Sequence, residues 1–285
     1  MAISQKLLFY LEEDIAGGDI TSDAVIPKKN IRAIIIAKEK GIIAGLAEAE
    51  SLFTHFGVET EPKKRDSEWV KPGDVLIELS GDAAAILLVE RTALNIIGRM
   101  SGIATKTREL SDLIKSKNPS ANVAGTRKTS PGFREFDKKA IILGGGDPHR
   151  YSLSDGFLIK DNHLALCPLK EALKRAHEYT AYKKTEVEVE STADAITAAE
   201  CGADIIMLDN MAPEKIKETI EALQKRELLK NIIIEVSGGI TEYNILSYAL
   251  FGVNRISLGS LTHSVKNFDV SLEVKPALKT VRINI

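Results

Sequence analysis

The amino-acid sequence predicts an α/β protein whose second half is built from parallel strands closing toward a barrel. Two observations carry this expectation. From Gly156 onward short apolar runs alternate with helical segments: Phe157 to Lys160, Thr185 to Glu190, Asp204 to Leu208, Ile232 to Val236 and Arg255 to Leu258 read as strands, and PEKIKETIEALQKR (213–226) is one of the helices between them. Polar residues then fall where those strands end. Lys160, Asp209, Ser237-Gly238-Gly239 and Gly259-Ser260 each follow a strand, and α/β barrels build their sites at the C-terminal ends of their strands.

A chain of 285 residues with 44% hydrophobic content is long enough for one α/β barrel or two modest domains. Its net charge of -2 gives no whole-protein attraction to nucleic acid or anionic membranes, so any basic site is local. Cys167 and Cys201 lack metal-ligand spacing. With no secretory leader and no apolar run of membrane-spanning length, they are expected to be reduced thiols in a soluble, cytoplasmic protein.

In the first half, Leu7, Leu8 and Leu11 have helical spacing within Ser4 to Glu13, and the turn-rich AGGDITSDAVIP (16–27) is expected to end that helix. Ile31 to Ala37 reads as a strand, Gly41 to Gly45 as the next strand or its turn, and Leu46 to Phe56 as a helix. Lys71-Pro72-Gly73-Asp74 reads as a turn between two strands. That hairpin resembles lipoyl and biotinyl carrier modules, but Gly81-Asp82-Ala83-Ala84 offers no counterpart to a carrier lysine. Asp82 reads instead as the N-cap of a long helix that runs to Lys115 and links two domains.

The stretch Gly125 to His163 concentrates Arg127, Lys128, His149, Arg150 and Lys160 among glycines. For any single Lys or Arg a solvated basic loop is the plain alternative. Lys160, however, emerges from the apolar run Gly156 to Ile159, and Arg127 and Lys128 follow Ala121 to Gly125 in the same way. Fixed cations converging from several strand ends are what a polyanionic small molecule requires. In EVEVE, strand alternation places Glu186, Glu188 and Glu190 on one face. Either this is a solvated edge strand, or the carboxylates face a barrel interior, where they are costly unless they meet a cation or metal. The glycine-rich ends SGG and LGS fit a phosphate site made of backbone N–H groups.

Taken in order, ERTALN (90–95), SGIAT (101–105), TRKTSPG, GGGDPHR, LIKDNH, EVEVE, MLDN, EVSGGI and LGSLTHS resemble the quinolinate phosphoribosyltransferases, the carboxylating nicotinate-nucleotide pyrophosphorylases. The combination of TRKT, GGG-x-x-HR and IKDNH is specific, and the resemblance covers most of the chain. It departs from the family's common text at Gly125 before TRKT, at Lys139 before Ala140-Ile141, and at Asp147-Pro148 before His149-Arg150. A molybdenum-operon paralogue shares TRKT and GGG-x-x-HR but lacks IKDNH, so Ile159 to His163 favours the transferase itself.

The resemblance implies an N-terminal open-faced α/β sandwich over residues 1–110 with the linker helix, and an incomplete seven-stranded α/β barrel over residues 111–285 with a C-terminal tail. It implies transfer of phosphoribosyl from 5-phosphoribosyl-1-pyrophosphate to quinolinate with loss of carbon dioxide, giving nicotinate mononucleotide in NAD biosynthesis. By motif, Arg91 is the arginine lent to the partner of a homodimer with shared sites, with a hexamer as a larger assembly. Substrate-binding residues are then Arg91, Thr126, Arg127, Lys128, His149, Arg150, Lys160, Glu188, Asp209, Ser237, Gly238, Gly239, Leu258, Gly259 and Ser260. Lys128, Lys160, Glu188 and Asp209 are the expected catalytic residues, and Glu188 and Asp209 the holders of Mg2+, directly or through water.

Overall fold

The structure is a computed structural model describing residues 3–275. It divides into two compact units, one comprising the chain up to Thr105 together with the segment from Val265, the other Lys106–Ser264. In the first unit, α1 (Gln5–Ile15) buries Leu7 and Leu11 and is capped by Ser4, whose hydroxyl accepts the Lys6 N–H. After Ala16, at φ 42, the chain forms α2 (Ile20–Val25), because Asp19 accepts the N–H groups of Thr21 and Ser22. The stretch expected only to end α1 therefore holds a short helix of its own. β1 (Asn30–Ala37), β2 (Gly41–Ile42), α3 (Leu46–His55), β3 (Glu59–Pro62), β4 (Trp69–Val70) and β5 (Val75–Asp82) follow.

The Lys71–Asp74 turn forms: the Asp74 N–H donates to Lys71 O at 3.1 Å, and Gly73 adopts φ 90. Its flanking strands do not pair with each other. β5 lies between β1 and β3, while β4 pairs with β2. The expected hairpin is thus corrected, because both edges of β5 are already taken. α4 (Ala83–Lys115) is a 33-residue helix whose start Asp82 caps by accepting the Ala85 N–H at 3.2 Å.

In the second unit the chain alternates β6 (Asn122–Ala124), α5 (Arg134–Leu143), β7 (Phe157–Ile159), α6 (Asp161–Leu164), α7 (Leu169–Tyr179), β8 (Thr185–Val189), α8 (Thr192–Glu200), β9 (Ile205–Asp209), α9 (Pro213–Lys225), β10 (Ile233–Ser237), α10 (Ile245–Tyr248), β11 (Arg255–Ser257) and α11 (Ser260–His263). The strands pair in the order β6-β11-β10-β9-β8-β7, every neighbour parallel. Asp147 makes an isolated parallel bridge to Ala124 on the free side of β6 and so occupies a seventh position. Among the described residues no ladder joins that segment to β7, and the barrel is incomplete there.

Strand alternation sorts the interior. Val187, Val189, Ile206, Leu208, Ile234, Val236 and Ile256 join a buried core with the helix residues Leu173, Ala195, Ile216, Ile220 and Leu223. The other alternation supplies Glu188, Met207, Asp209, Glu235, Ser237 and Ser257, all of which line a cavity.

The chain then returns to the first unit. β12 (Val270–Lys275) pairs antiparallel with β1 and completes the sheet β12-β1-β5-β3. The unit boundary therefore falls at 105 within α4 rather than at 110, and the segment from 265 belongs with the N-terminal sheet rather than the barrel. Residues 276–285 lie outside those described. Two glycines one turn apart on α4 accommodate the return: the Phe268 N–H donates to Gly98 O at 2.8 Å, and a Cβ on Gly102 would collide with the Lys266 carbonyl oxygen. Among the described residues no helix is long and apolar enough to cross a membrane.

The SGIAT motif also has its explanation here. Ser101 Oγ accepts the Ala44 N–H at 2.9 Å and donates to Ala44 O at 3.0 Å, while Thr105 Oγ1 makes the corresponding pair with Ile42 at 2.8 and 3.3 Å. Two hydroxyls thus serve as pairing partners for a strand segment that packs on a helix. Ser101→Ala leaves a buried N–H and a buried C=O without partners, so a loss of about 2–4 kcal/mol in unfolding free energy is expected by denaturant titration; an unchanged midpoint would mean the hydroxyl carries no such load.

Candidate active site

The cavity has a volume of about 800 Å³, and every residue lining it belongs to the second unit. Thr126, Arg127 and Lys128 enter it from the end of β6, His149 and Arg150 from the segment before β7, and Lys160 from the end of β7. The acids come from the middle of the sheet: Glu188 and Glu190 at β8, Asp209 at β9 and Glu235 on β10. The cations thus gather at the two ends of the open strand order and the carboxylates at its centre.

The His149-Arg150 segment is held from several directions. His149 adopts φ 58, a conformation uncommon for a residue with a Cβ. Asp147 Oδ1 accepts its N–H at 2.7 Å, and its Nδ1 accepts the Arg150 N–H at 2.8 Å. Nε2 then carries the proton and faces Glu235 at 3.3 Å and Glu186 at 3.5 Å. Arg255 spans two acids, with one terminal nitrogen 2.7 Å from Asp147 Oδ2 and the other 3.0 Å from Glu235 Oε2. Ser257 hydrogen-bonds the second oxygen of Glu235. From α5, the buried Lys138 donates to the carbonyls of Pro148 and Arg150.

Burial sets the electrostatics of this cluster. Desolvation works against protonation of His149, but hydrogen bonds to Glu186 and Glu235 prevail and raise its pKa to about 9. A second ring proton must displace the Arg150 N–H from Nδ1. Burial and then the charge of Arg134 bring Lys138 down to about 8. Burial pushes Glu186 up, whereas His149 and Arg255 hold Glu235 down against a larger desolvation penalty. Arg150 is lowered by burial and by repulsion from Arg127. Arg127 Nε is buried with no hydrogen-bond partner among the described residues.

On the acidic side, Lys160 is ion-paired with Glu188. Asn210, at φ 52, donates to Asp209 Oδ2 at 2.7 Å. Gly238 follows at φ 90, and a Cβ there would lie 2.7 Å from the Asn210 backbone nitrogen. Glu188 and Asp209 are oxygen donors on adjacent strands facing one cavity, which suits Mg2+. A second group, His149, Glu186 and Glu235, has ligand atoms within 4.8 Å of one another, but both oxygens of Glu235 are already engaged by Arg255 and Ser257.

Of the residues expected from sequence, Thr126, Arg127, Lys128, His149, Arg150, Lys160, Glu188, Asp209 and Ser237 line the cavity together. Gly238, Gly239, Leu258, Gly259 and Ser260 do not. Leu258 is buried, and Gly259 acts sterically, since a Cβ there would sit 3.0 Å from Lys128 Cδ. Arg91 is exposed on α4 in the first unit. Sequence reasoning missed Glu235, Arg255, Asp147 and Lys138. A glutamate inside the apolar run IIIEV (232–236) was the available signal, because a carboxylate there requires a partner.

Residues 103–273 match the model of the quinolinate phosphoribosyl transferase C-terminal domain, and residues 19–101 that of the N-terminal domain. The chain belongs to the quinolinate phosphoribosyltransferase family. It is 47% identical over 258 residues, 90% of this chain and 98% of the relative, to an Archaeoglobus fulgidus protein named "Probable nicotinate-nucleotide pyrophosphorylase (carboxylating)". It is 34% identical to the rat nicotinate-nucleotide pyrophosphorylase (carboxylating), over 93% of this chain and 88% of that protein. The solved nicotinate-nucleotide pyrophosphorylase of Francisella tularensis, 34% identical, superposes with a TM-score of 0.88 over 94% of each chain. This family member thus shares with these relatives both of its units.

The two buried cations predict a pH signature. With its folded pKa raised above 6.5 to about 9, His149 contributes stability that is full below pH 6.5 and lost as pH rises through 9. Lys138, lowered from 10.5 to about 8, costs stability below pH 8 and is relieved above it. Of these two groups, it is the His149 loss that acts between pH 6.5 and 8, and it totals on the order of 3 kcal/mol when complete. Denaturant unfolding at pH 6 and pH 8 is expected to show a steeper decline for the wild type than for His149→Gln; equal slopes would contradict the assignment.

Proposed function

We propose that this cavity carries out the reaction of its family: transfer of the phosphoribosyl group of 5-phosphoribosyl-1-pyrophosphate to quinolinate, with decarboxylation, giving nicotinate mononucleotide, pyrophosphate and carbon dioxide in NAD biosynthesis. The observation that carries the assignment of roles is the cationic wall. Arg127 and Arg150 repel each other in a partly buried site, Arg127 Nε lacks a partner among the described residues, and His149 and Lys160 stand on the same wall. Two adjacent carboxylates on a planar ring would satisfy that arrangement, which is preorganised for them.

The pyridine nitrogen has its own lone pair for attack on the anomeric carbon, so that step requires no general base. Lys128 and Ser237, which line the cavity, take phosphate oxygens, and Glu188 and Asp209 face the positive charge that develops on the ribose. Lys160, paired with Glu188 in this structure, exchanges that partner for substrate. Once the ring nitrogen is ribosylated, the pyridinium stabilises the carbanion left by the departing 2-carboxylate. Mg2+, held by Glu188 and Asp209, would neutralise charge on the leaving pyrophosphate. Arg91, exposed and outside the cavity lining, completes the site of a partner subunit in a homodimer. The free cysteines, Cys167 and Cys201, suit the reducing cytoplasm.

Nicotinate lacks the 2-carboxylate and leaves at least one desolvated cation unpaired. That costs on the order of 2–5 kcal/mol, a roughly thirtyfold to several-thousandfold loss. Comparison of kcat/KM for the two acids at fixed Mg2+ and phosphoribosyl pyrophosphate is expected to show it, and a ratio within about tenfold would rule out a dicarboxylate clamp. Shared sites make a separate prediction. Arg91→Ala and Lys160→Ala proteins are expected to be nearly inactive alone and to regain activity when mixed under conditions that exchange subunits. Demonstrated exchange without recovery would contradict the shared-site arrangement.

A further inference from the structure

We propose that Arg255 is a positioning residue for His149, acting through two carboxylates: Asp147, which fixes the histidine backbone, and Glu235, which fixes its ring. The proposal rests on the reading of His149 as part of the quinolinate-binding wall. Arg255 itself is not among the residues lining the cavity.

The geometry gives one guanidinium both tasks. His149 sits at φ 58, a strained conformation for a residue with a Cβ that persists only where the surroundings determine it. Asp147 provides that determination with one oxygen, 2.7 Å from the His149 N–H, and gives the other to Arg255 at 2.7 Å. Glu235 repeats the pattern, with Oε1 3.3 Å from His149 Nε2 and Oε2 3.0 Å from Arg255. The sheet makes this possible. Arg255 stands in register with Glu235 on the neighbouring parallel strand and with Asn122 of β6 on the other side, and Asp147 bridges to Ala124 of that same strand. A side chain rising from β11 thus reaches an acid on each flank.

Charge balance alone would give Arg255 only a structural role, since Glu235 is fully buried and needs a cation. The shared acids distinguish the two roles. A lysine placed at 255 keeps the positive charge but is a point donor without a planar fork, and cannot hold two carboxylates in one geometry. Charge balance predicts that Arg255→Lys is benign toward quinolinate, whereas positioning predicts that it is not.

The test is a mutant cycle between Arg255→Lys and His149→Ala on the full-length protein, with kcat and KM measured separately for quinolinate and phosphoribosyl pyrophosphate. Arg255→Lys is expected to raise the quinolinate KM about tenfold while leaving the phosphoribosyl pyrophosphate KM within about twofold. In the His149→Ala background the same substitution is expected to change the quinolinate KM by less than about twofold, because its route of action is gone. Should Arg255→Lys lose its cooperative thermal transition, the double variant Arg255→Met with Glu235→Gln removes both buried charges and carries the same two expectations. An equal effect in both backgrounds, or no effect on quinolinate KM in the wild type, overturns the proposal. If His149→Ala alone leaves the quinolinate KM unchanged, the role of His149 fails instead, and the proposal with it.

Discussion

A carboxylate with no solvent exposure, Glu235, lies on the floor of the cavity, and the arrangement above it depends on how that charge is compensated. Arg255 and Ser257 take its two oxygens, and His149 approaches one of them. Desolvation makes a buried ion pair an uncertain source of stability but an exacting source of geometry, because removing any partner strands a charge. From Arg255 the constraint passes to Asp147 and from there to the backbone of His149. Lys138 closes the other side by gathering the carbonyls of Pro148 and Arg150. A segment carrying two of the site's basic residues is therefore fixed by charges from outside the cavity lining, Arg255, Asp147 and Lys138, together with Glu235 on its floor.

The topology then separates the two kinds of charge. β6 and β7 lie at opposite ends of the strand order, and they and the Asp147 segment deliver Arg127, Lys128, His149, Arg150 and Lys160. β8, β9 and β10 occupy the middle and deliver Glu188, Asp209 and Glu235. Mixed at random, these groups would neutralise one another in pairs, as Lys160 and Glu188 do. Apart from that pair and the contacts of His149 with Glu186 and Glu235, the two kinds of charge arise from different strands, an arrangement that on the proposed function would offer one wall to a dicarboxylate and the other to a metal and a developing cation.

Much of this was legible in the sequence, because it lies in local pattern. The strand ends announce themselves by an apolar run followed by a polar residue, as at Lys160 and Asp209, and alternation in EVEVE puts Glu186, Glu188 and Glu190 on one face without saying whether that face points inward. What was not legible depends on partners distant in the chain. Glu235 and Arg255 are 20 residues apart and meet only because parallel strands place them in register. Lys71-Pro72-Gly73-Asp74 is a true turn, but the pairing of its flanking strands is decided by β1, β2 and β3. Val270–Lys275 returns to β1 across more than 200 residues, so the boundary near residue 265 has no local mark. The glycines of SGG and LGS read from sequence as a phosphate site, but Gly238, Gly239 and Gly259 do not line the cavity. Only the geometry shows that Gly238 makes room for Asn210 and Gly259 for Lys128.

On the proposed function, the cationic wall binds the dicarboxylate and the acidic wall does not. A calorimetric titration of quinolinate alone, without phosphoribosyl pyrophosphate, tests it most directly across Arg127→Ala, Arg150→Ala, Glu188→Gln and Asp209→Asn. Each arginine variant is expected to lose affinity by about thirtyfold or more, and each acid variant to stay within about threefold of the wild type. Equal losses in the two sets would contradict it, because the acids would then be holding the cationic pocket together rather than serving metal and ribose.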